Sequence, residues 1–236
     1  MSIPFFYISE YDAGQNKIVL DEDTSKHVVQ VLRMGEGEKV NLTDGKGSLL
    51  ICEILEAHKK HCEVKVIDSR MPTHNSQKIT IAISLLKNTS RFEWFLEKAT
   101  EIGVTEIIPL ICERTEKEKF RYERMNGICV SAMLQSQQSW LPILHEPMEF
   151  HNLAIQQFDN YQKLIAHCDE SYKEKISNLH IGKFANCLIC IGPEGDFTKE
   201  EIHLAIKNHF TPVSLGPTRL RTETAGVVAA TLLCIN

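Results

Sequence analysis

Short runs of apolar and β-branched residues, separated by turn signals such as Asp44–Gly47, fill residues 1–68. Runs of this length between glycine-containing turns indicate strands rather than helices. Several such strands in succession are typical of a small barrel. We therefore predict a β-domain at this end of the chain, with strands at residues 4–8, 17–20, 38–43, 48–55 and 62–67.

One helical pattern interrupts these strands. Asp23 or Thr24 carries a side chain suited to capping a helix N-terminus, and Val28, Val31 and Leu32 recur on one face at helical spacing. We therefore predict a short helix with one apolar face.

The pattern changes after the polar, proline-containing residues 68–77, which we predict to be a linker. Residues 79–86 are almost wholly apolar, residues 92–99 show helical spacing, and residues 106–112 are apolar again. A buried strand, a helix and a second buried strand imply a right-handed parallel crossover, as in an α/β domain. Further predicted elements are a helix at 123–138 and a strand at 162–167.

Two glycine-containing loops bracket one helix farther along the chain. Apolar strands at 187–191 and 213–215 lead into the sequences Gly-Pro-Glu-Gly and Gly-Pro-Thr-Arg-Leu-Arg-Thr-Glu. Both loops should open at the carboxyl edge of one sheet, where α/β proteins bind ligands. Gly192 and Gly195 can adopt positive φ and allow the backbone close to a ligand, and Pro193 stiffens the turn between them.

The helix between the loops has a clear start. Thr198 and Glu201 form a capping box, and Phe197 and Ile202 occupy the hydrophobic-staple positions around it. We predict that the helix ends at Asn208 and packs one face on the sheet through Ile202, Ala205 and Ile206.

A last helix, predicted at residues 225–235, is apolar on all sides. Such a helix must be buried, either in the core or in a dimer interface. Arg219, Arg221 and Glu223 precede it within five residues, which marks them as candidates for chemistry at the same edge of the sheet.

Composition limits the class of protein. The 236 residues are 43% hydrophobic with a net charge of −5, which is typical of a globular chain and gives no global signature of nucleic-acid binding. We find no export signal and no membrane span, so we expect a cytoplasmic protein. The eight cysteines are expected to be free buried thiols in that reducing compartment.

Three groups of residues have spacings that could suggest a metal. Cys187 and Cys190 lie in a predicted strand, where side chains three apart point to opposite faces. Residues 58–62 lack a matching second ligand pair nearby, and no spacing motif supports a cluster at residues 167–170. We therefore expect no metal at residues 187–190, 58–62 or 167–170. The chain also lacks a Walker A loop, a GxGxxG motif and a nucleophile elbow, which disfavours phosphoryl transfer, nicotinamide chemistry and hydrolase chemistry.

Basic residues suggest two places for RNA, each with a plain alternative. The basic residues within residues 1–68 form either a solvated surface or an RNA-binding face. Residues 113–124 interleave basic with aromatic side chains, and they form either a charged surface segment or an RNA-contacting loop. Our candidate RNA-binding residues are Lys26, Arg33, Arg114, Arg121 and Arg124.

Several motifs resemble those of the ribosomal small subunit methyltransferase E family of the SPOUT superfamily. The C-terminal pair, Ile191–Gly195 with Leu220–Ala225, is the most specific. The likeness extends to His27–Arg33 and to Glu97–Val104, and it covers nearly the whole chain in order.

The resemblance implies a PUA-like RNA-binding β-barrel at residues 1–72 and a trefoil-knotted α/β SPOUT methyltransferase domain at residues 73–236. It implies a homodimer that uses S-adenosylmethionine to methylate N3 of a uridine in the 16S rRNA of the small ribosomal subunit, without a metal. Within this scheme Arg221 would stabilise charge on the uracil, and Glu223 would act as base or orient the site. The residues expected to bind the cofactor are His167, Gly192, Pro193, Glu194, Gly195, Leu215, Gly216, Leu220, Thr222, Thr224 and Ala225.

The sequence departs from the family pattern at four positions, and its first strand also lacks the usual arginine before its aromatic residues. Asp196 and Asn88 stand where glycine is usual, and Leu134 and Gln138 replace a glutamate and an arginine. These departures leave two alternatives open, namely a non-catalytic RNA-binding assembly factor and a SPOUT enzyme with another target, such as the ribose 2′-O of tRNA.

Overall fold

The computed structural model describes residues 3–12, 14–72, 77–169, 173–176, 179 and 186–235. The chain divides into one unit of residues 1–74 with 133–141 and a second of residues 75–132 with 142–236. The first division lies near the boundary predicted at residues 72 and 73. The segment 133–141, however, belongs to the first unit although it lies far along the chain.

Five strands form the sheet of the first unit, and they are β1 (Phe5–Tyr7), β2 (Lys17–Val19), β3 (Lys39–Thr43), β4 (Leu49–Glu56) and β5 (Glu63–Arg70). Their order is β1-β3-β4-β5-β2, with β1 parallel to β3 and the other pairs antiparallel. Alternate residues of β4, such as Leu50, Cys52 and Ile54, are buried in one apolar cluster. This alternation is the period of a half-buried strand, and it explains why the sequence predicted these strands.

The short helix α1 (Glu22–Lys26) begins earlier than predicted and continues into a π-helix (His27–Val31). Its cap is Asp21, whose carboxylate accepts a hydrogen bond of 2.7 Å from the Thr24 N–H, so the prediction of Asp23 or Thr24 was wrong. The π-turn is wider than an α-turn and changes which residues share a face. Val28 is therefore buried, whereas Val31 is 65% exposed, contrary to the predicted common face.

Residues 133–141 pack on the Asp44–Gly47 turn of the first unit. The Ser139 carbonyl accepts hydrogen bonds from the Gly47 N–H at 2.8 Å and from Thr43 Oγ1 at 3.2 Å. Trp140 covers Gly47, where an ideal Cβ would lie 2.2 Å from the indole ring. Gly47 also has φ of 103°, so both sterics and backbone conformation require glycine there.

Among the described residues, eight parallel strands form the sheet of the second unit. They are β6 (Ile79–Ser84), β7 (Glu106–Ile111), β8 (Ile143–Leu144), β9 (Met148–Glu149), β10 (Tyr161–Ala166), β11 (Glu174–Lys175), β12 (Asn186–Ile191) and β13 (Thr211–Ser214). The order is β11-β13-β10-β12-β6-β7-β8, and β9 also pairs with β7. The strands predicted at residues 79–86 and 106–112 correspond to β6 and β7, which pair in parallel as expected.

The helices of this unit are α2 (Thr89–Ile102), α3 (Tyr122–Gln135), α4 (Phe150–Ile155), α5 (Lys199–Lys207) and α6 (Thr222–Cys234). α2 packs on α6, and α6 packs on β6. Phe150, Phe197 and Ile202 belong to a second apolar cluster formed with the sheet. The predicted stripe of α5 holds at Ile202 and Ala205, but Ile206 is 44% exposed.

Some predicted segments have a different structure. Residues 68–70 extend β5 instead of beginning a linker, and residues 73–76 of that linker lie outside the described residues. Ala13, and Glu170 of the candidate metal group at residues 167–170, also lie outside them. In the part of the chain that the structure describes, every helix is too short or too polar to span a membrane.

Candidate functional site

Three neighbouring parallel strands position the site. β10 lies between β12 and β13, and its last residue, Ala166, is level with Ile191 on one side and Val213 on the other. The loops that follow the three strands therefore leave the sheet at one edge, as the sequence predicted. His167, directly after β10, is placed between the two glycine-containing loops.

One cavity, of about 230 Å³, lies along the loop after β13, and we refer to it as the β13 cavity. Of the residues predicted to bind the cofactor, His167, Leu215, Gly216, Leu220 and Ala225 line it. Lys173 and Arg219 add two positive charges to its wall. Sequence reasoning missed Lys173, which follows β10 without any motif to mark it.

A second cavity, of about 330 Å³, lies along the loop after β12, and we refer to it as the β12 cavity. Its wall contains Arg221, Asp196 and the predicted cofactor residues Gly192, Pro193, Glu194 and Thr222. Both cavities share the Leu220 and Ala225 wall, so they adjoin. Gly195 and Thr224 are the two predicted cofactor residues outside both linings.

His167 is a buried polar side chain at this edge of the sheet. It is 7% exposed, and neither ring nitrogen has a hydrogen-bond partner among the described residues. Burial lowers the pKa of His167, and the charge of Lys173 lowers it further, against the opposing effect of Asp196 and Asp169. The ring is therefore neutral near pH 7, with one nitrogen able to donate and the other able to accept.

Asp196 joins the loops after β10 and β12. Its carboxylate accepts hydrogen bonds from the Cys168 N–H at 2.7 Å and from the Phe197 N–H at 2.9 Å. Its φ of 63° lies in the left-handed region, which glycine favours and aspartate tolerates. This conformation accounts for an aspartate at a position where the resembling family commonly has glycine.

The glycines of the β12 loop serve close packing. Neither Gly192 nor Gly195 has positive φ, so the prediction that these glycines allow a positive φ in the loop was wrong. A Cβ on Gly192 would lie 3.0 Å from the Phe197 ring, and one on Gly195 would lie 3.3 Å from Arg114 Cδ. Arg114, predicted to bind RNA, donates from Nη1 to the Gly195 carbonyl at 2.7 Å and so supports this loop.

The capping box of α5 is present as predicted and fixes the end of the same loop. The Glu201 N–H donates to Thr198 Oγ1 at 3.2 Å, and the Thr198 N–H donates to Glu201 Oε2 at 2.8 Å. The other Glu201 oxygen accepts from the Glu113 N–H at 2.9 Å.

Arg221 and Glu223 face different surroundings. α6 begins three residues earlier than predicted, so Arg221 is its exposed N-cap and Glu223 lies in its first turn, where a carboxylate favours the helix dipole. Glu223 is 7% exposed and lies outside both cavities. Its Oε1 is 3.7 Å from Arg91 Nε on α2, and its Oε2 is buried without a hydrogen-bond partner among the described residues.

The ion partner of Glu223 is therefore Arg91 of α2. No signal in the sequence could have identified it, because the pairing depends on how α2 packs against α6. The remaining RNA candidates are exposed, and Lys26 and Arg33 lie in the first unit. Arg124 donates to both oxygens of Glu93, at 2.6 and 3.0 Å.

The cysteines and histidines show no metal-binding arrangement where the chain is described. All eight cysteines are free. Burial raises the pKa of Cys187 to about 12, and it also raises the pKa of Cys190 well above its ordinary value. The rings of His58 and His61 stack with centroids 3.7 Å apart. Among the described residues, no group of three His, Cys, Asp or Glu side chains is placed to hold a metal ion.

Comparisons with known proteins agree with this geometry. A family model described as an RNA methyltransferase domain matches residues 73–234, and one described as an RNA methyltransferase PUA domain matches residues 20–67. The ribosomal RNA small subunit methyltransferase E of Rickettsia conorii is 28% identical over 94% of this chain and 91% of that protein.

Two solved structures are similar over almost the whole chain. A probable rRNA methyltransferase from Porphyromonas gingivalis is 37% identical with a TM-score of 0.90, covering 99% of this chain and 100% of that one. The ribosomal RNA small subunit methyltransferase E from Neisseria gonorrhoeae, bound to S-adenosylmethionine, is 27% identical with a TM-score of 0.87. That likeness covers 97% of this chain and 95% of the other.

Proposed function

Because the chain belongs to the ribosomal RNA small subunit methyltransferase E family of RNA methyltransferases, we propose that it methylates N3 of a uridine in 16S rRNA. The predicted fold class, a trefoil-knotted SPOUT α/β domain preceded by a PUA-like domain, is that of its relatives. The observation that carries the proposal is the pair of adjoining cavities, since most of the residues of the C-terminal resemblance line them.

The two cavities fit S-adenosylmethionine in size and chemistry. Ligand pockets usually measure about 300 to 1,000 Å³, and the adjoining cavities together fall in that range. The buried His167 ring, with both nitrogens free of described partners, offers one donor and one acceptor to a polar ligand. We propose that His167, Leu215, Gly216, Leu220 and the β12 loop hold the cofactor, which supplies an electrophilic methyl group on a sulfonium.

Arg221 is the residue we propose to act on the acceptor base. It is exposed and lines the β12 cavity, so its guanidinium is free to meet a uracil there. N3 of uracil is a weak nucleophile until its proton leaves, and the resulting charge spreads to the carbonyl oxygens. A guanidinium beside those oxygens would stabilise the anion as it forms.

Glu223 has a placement that favours an orienting role over proton removal. Its carboxylate is buried beside Arg91 and outside both cavities, whereas a general base must reach the proton directly or through one water. We propose that Glu223 is a positioning residue, which holds the first turn of α6 against α2 and thereby fixes Arg221.

The partners follow from the same assignment. We propose that the sheet domain of residues 1–72 binds 16S rRNA of the small subunit with help from Lys26 and Arg33, and that Arg121 and Arg124 contact RNA from the second domain. We also propose a homodimer, without a metal, in the cytoplasm, where ribosomal RNA is found.

Mass spectrometry of nucleosides tests the proposed function. The purified protein would be incubated with S-adenosylmethionine and with either 16S rRNA or small subunits that lack the modification. We expect 3-methyluridine, whereas a ribose-methylated nucleoside would identify a different SPOUT reaction. Binding of RNA without heat of S-adenosylmethionine binding in calorimetry would instead identify a non-catalytic assembly factor.

Arg221→Ala tests the mechanism. We expect kcat to fall by about 10²–10³-fold, the usual effect of losing one group that stabilises a developing anion. Arg221→Lys keeps the charge without the planar fork, so its kcat should lie between those of the wild type and the alanine variant. Cofactor affinity measured by calorimetry should stay unchanged in both variants, and full activity of the alanine variant would remove Arg221 from the mechanism.

A further inference from the structure

A cavity of about 320 Å³ at the start of α2 is lined by an unusual number of positive charges. Lys117, Lys119, Arg121 and Arg124 surround it, and among the described residues Glu93 is the one carboxylate in its wall. Three positive charges therefore remain in a chain whose net charge is −5. In an acidic protein, RNA must be met by such a local basic surface.

Aromatic contacts hold this basic segment in place. Phe120 packs edge-on against Phe92 of α2, with ring centroids 6.2 Å apart, and against Tyr122 at 6.5 Å. Phe92 is itself buried in the core. Because Phe120 is anchored, its neighbours Lys119 and Arg121 are held at the wall of the cavity.

The four cations differ in what they already bind. Arg124 is engaged by both oxygens of Glu93, and this hydrogen bonding lowers the pKa of Glu93, so the carboxylate stays ionised. Lys117 Nζ donates to Thr89 Oγ1 at 3.1 Å. The side chains of Lys119 and Arg121 make no hydrogen bond or ion pair with any residue the structure describes.

We propose that this cavity binds a backbone phosphate of the ribosomal RNA substrate, with Lys119 and Arg121 as its principal ligands. A phosphodiester presents two anionic oxygens, which suit the planar fork of an arginine and the point charge of a lysine. The Thr89 hydroxyl and Lys117 complete a wall of donors around the same space. Phosphate contacts fix the register of an RNA without reading its sequence, so this site would position the strand for methylation. The inference rests on the proposed function, because that function supplies the RNA.

The salt dependence of RNA binding by the full-length protein tests this site. A short fluorescein-labelled RNA from 16S rRNA would be titrated over a range of KCl concentrations with the wild type and with Lys119→Ala/Arg121→Ala. Each lost phosphate contact reduces the magnitude of the slope of log K against log salt by about 0.7 for a single strand. Because the two side chains share one phosphate, we expect the magnitude of the slope to fall by about 0.7, with at least tenfold weaker binding at low salt.

Two further variants control for folding and for general charge. Lys199→Ala/Lys207→Ala removes two exposed charges from α5, outside the cavity, and should change binding little. Glu93→Gln removes the one carboxylate, frees Arg124 and should tighten RNA binding, which a misfolded variant would not do. Inorganic phosphate at millimolar concentration should compete weakly, since it offers one of many contacts.

An unchanged slope and affinity in the Lys119→Ala/Arg121→Ala variant would overturn the proposal. Equal losses in the α5 control would also overturn it, because the effect would then be one of net charge. RNA binding is measured without turnover, so the result stands apart from the proposed function. If methylation fails in the wild type while the slope change is seen, the proposed function fails and this site remains.

Discussion

Glu223 lies in the first turn of α6 with one oxygen 3.7 Å from Arg91 Nε and the other buried. If it is a positioning residue, Glu223→Gln keeps its size and should lower kcat less than tenfold, without changing the shape of the pH–rate profile. Loss of a general base would lower kcat by about 10²–10⁴-fold and remove the acidic limb of that profile. Single-turnover methylation measured across pH separates the two roles.

His167 should link stability to pH. Burial lowers its folded pKa, whereas the unfolded chain binds a proton near the ordinary value of about 6.5. Below that pH the unfolded state therefore holds more protons, and the free energy of unfolding falls as the pH falls. His167→Gln does not titrate there, so the stability of wild type relative to this variant should decrease toward acid.

The slope of that difference should not exceed about 1.4 kcal/mol per pH unit, the limit for one proton. Urea denaturation at several pH values between neutral and mildly acidic measures it. A difference that stays constant over this range would mean that His167 titrates alike in the folded and unfolded chains.

Residues of the two cavities were predictable because they follow buried strands in glycine-containing loops. Arg91 and Lys173 were not, since neither belongs to a motif. Arg91 meets Glu223 through the packing of α2 against α6, and Lys173 is held by hydrogen bonds to the His167 and Asp169 carbonyls. The use of Gly192 was also misjudged, because the approach of Phe197 depends on how the loop folds back on itself.

At the scale of elements, α6 depends on a close approach to α2 and β6. An ideal Cβ on Gly226 would lie 2.6 Å from the Phe95 ring and 2.8 Å from Ile83 Cδ1. Gly226→Ala should therefore destabilise the protein by about 1–3 kcal/mol through overpacking. Urea denaturation compares it with the wild type.

Gly127→Ala in α3 is the matched control. A Cβ there meets no atom within 4 Å, and the residue lies inside a helix. The same substitution should stabilise by about 0.5–1 kcal/mol, because alanine is the better helix former. If the two substitutions changed the free energy of unfolding equally, or if Gly226→Ala stabilised the protein, the packing described for α6 would be contradicted.

Long or strongly patterned elements were predicted, and the two-residue strands were not. The buried runs of β6 and β12 and the capping box of α5 identified those elements closely. β8, β9 and β11 are two residues each, too short to show a period, and their pairing depends on distant strands. The π-turn after α1 was missed because its spacing resembles that of an α-helix over one turn.

At the scale of the whole molecule, we expect α6 to contribute to the interface of the proposed homodimer. Leu233 and Ala230 are buried within the chain, but Val227 and Val228 are only half-buried, and Ile235 is 68% exposed. An apolar helix with a partly open face is typical of an interface. We expect sedimentation at micromolar concentration to give about twice the chain mass of 26.9 kDa.

Val227→Glu should shift this equilibrium toward the monomer by placing a charge on the half-buried face. Val19→Glu is a suitable comparison, because Val19 is exposed on β2 in the other unit and should leave the sedimentation coefficient unchanged. A wild-type monomer at these concentrations would contradict the homodimer.

The packing of Trp140 over Gly47 makes the N-terminal sheet a discontinuous module. A fragment cut at residue 72 would lack residues 133–141 and leave the Asp44–Gly47 turn uncovered. The Gly47 N–H would lose the Ser139 carbonyl as its hydrogen-bond acceptor. Exchanging this sheet between homologous proteins therefore requires replacing two stretches of the chain. The nine residues 133–141 must come from the same protein as the Asp44–Gly47 turn that they cover.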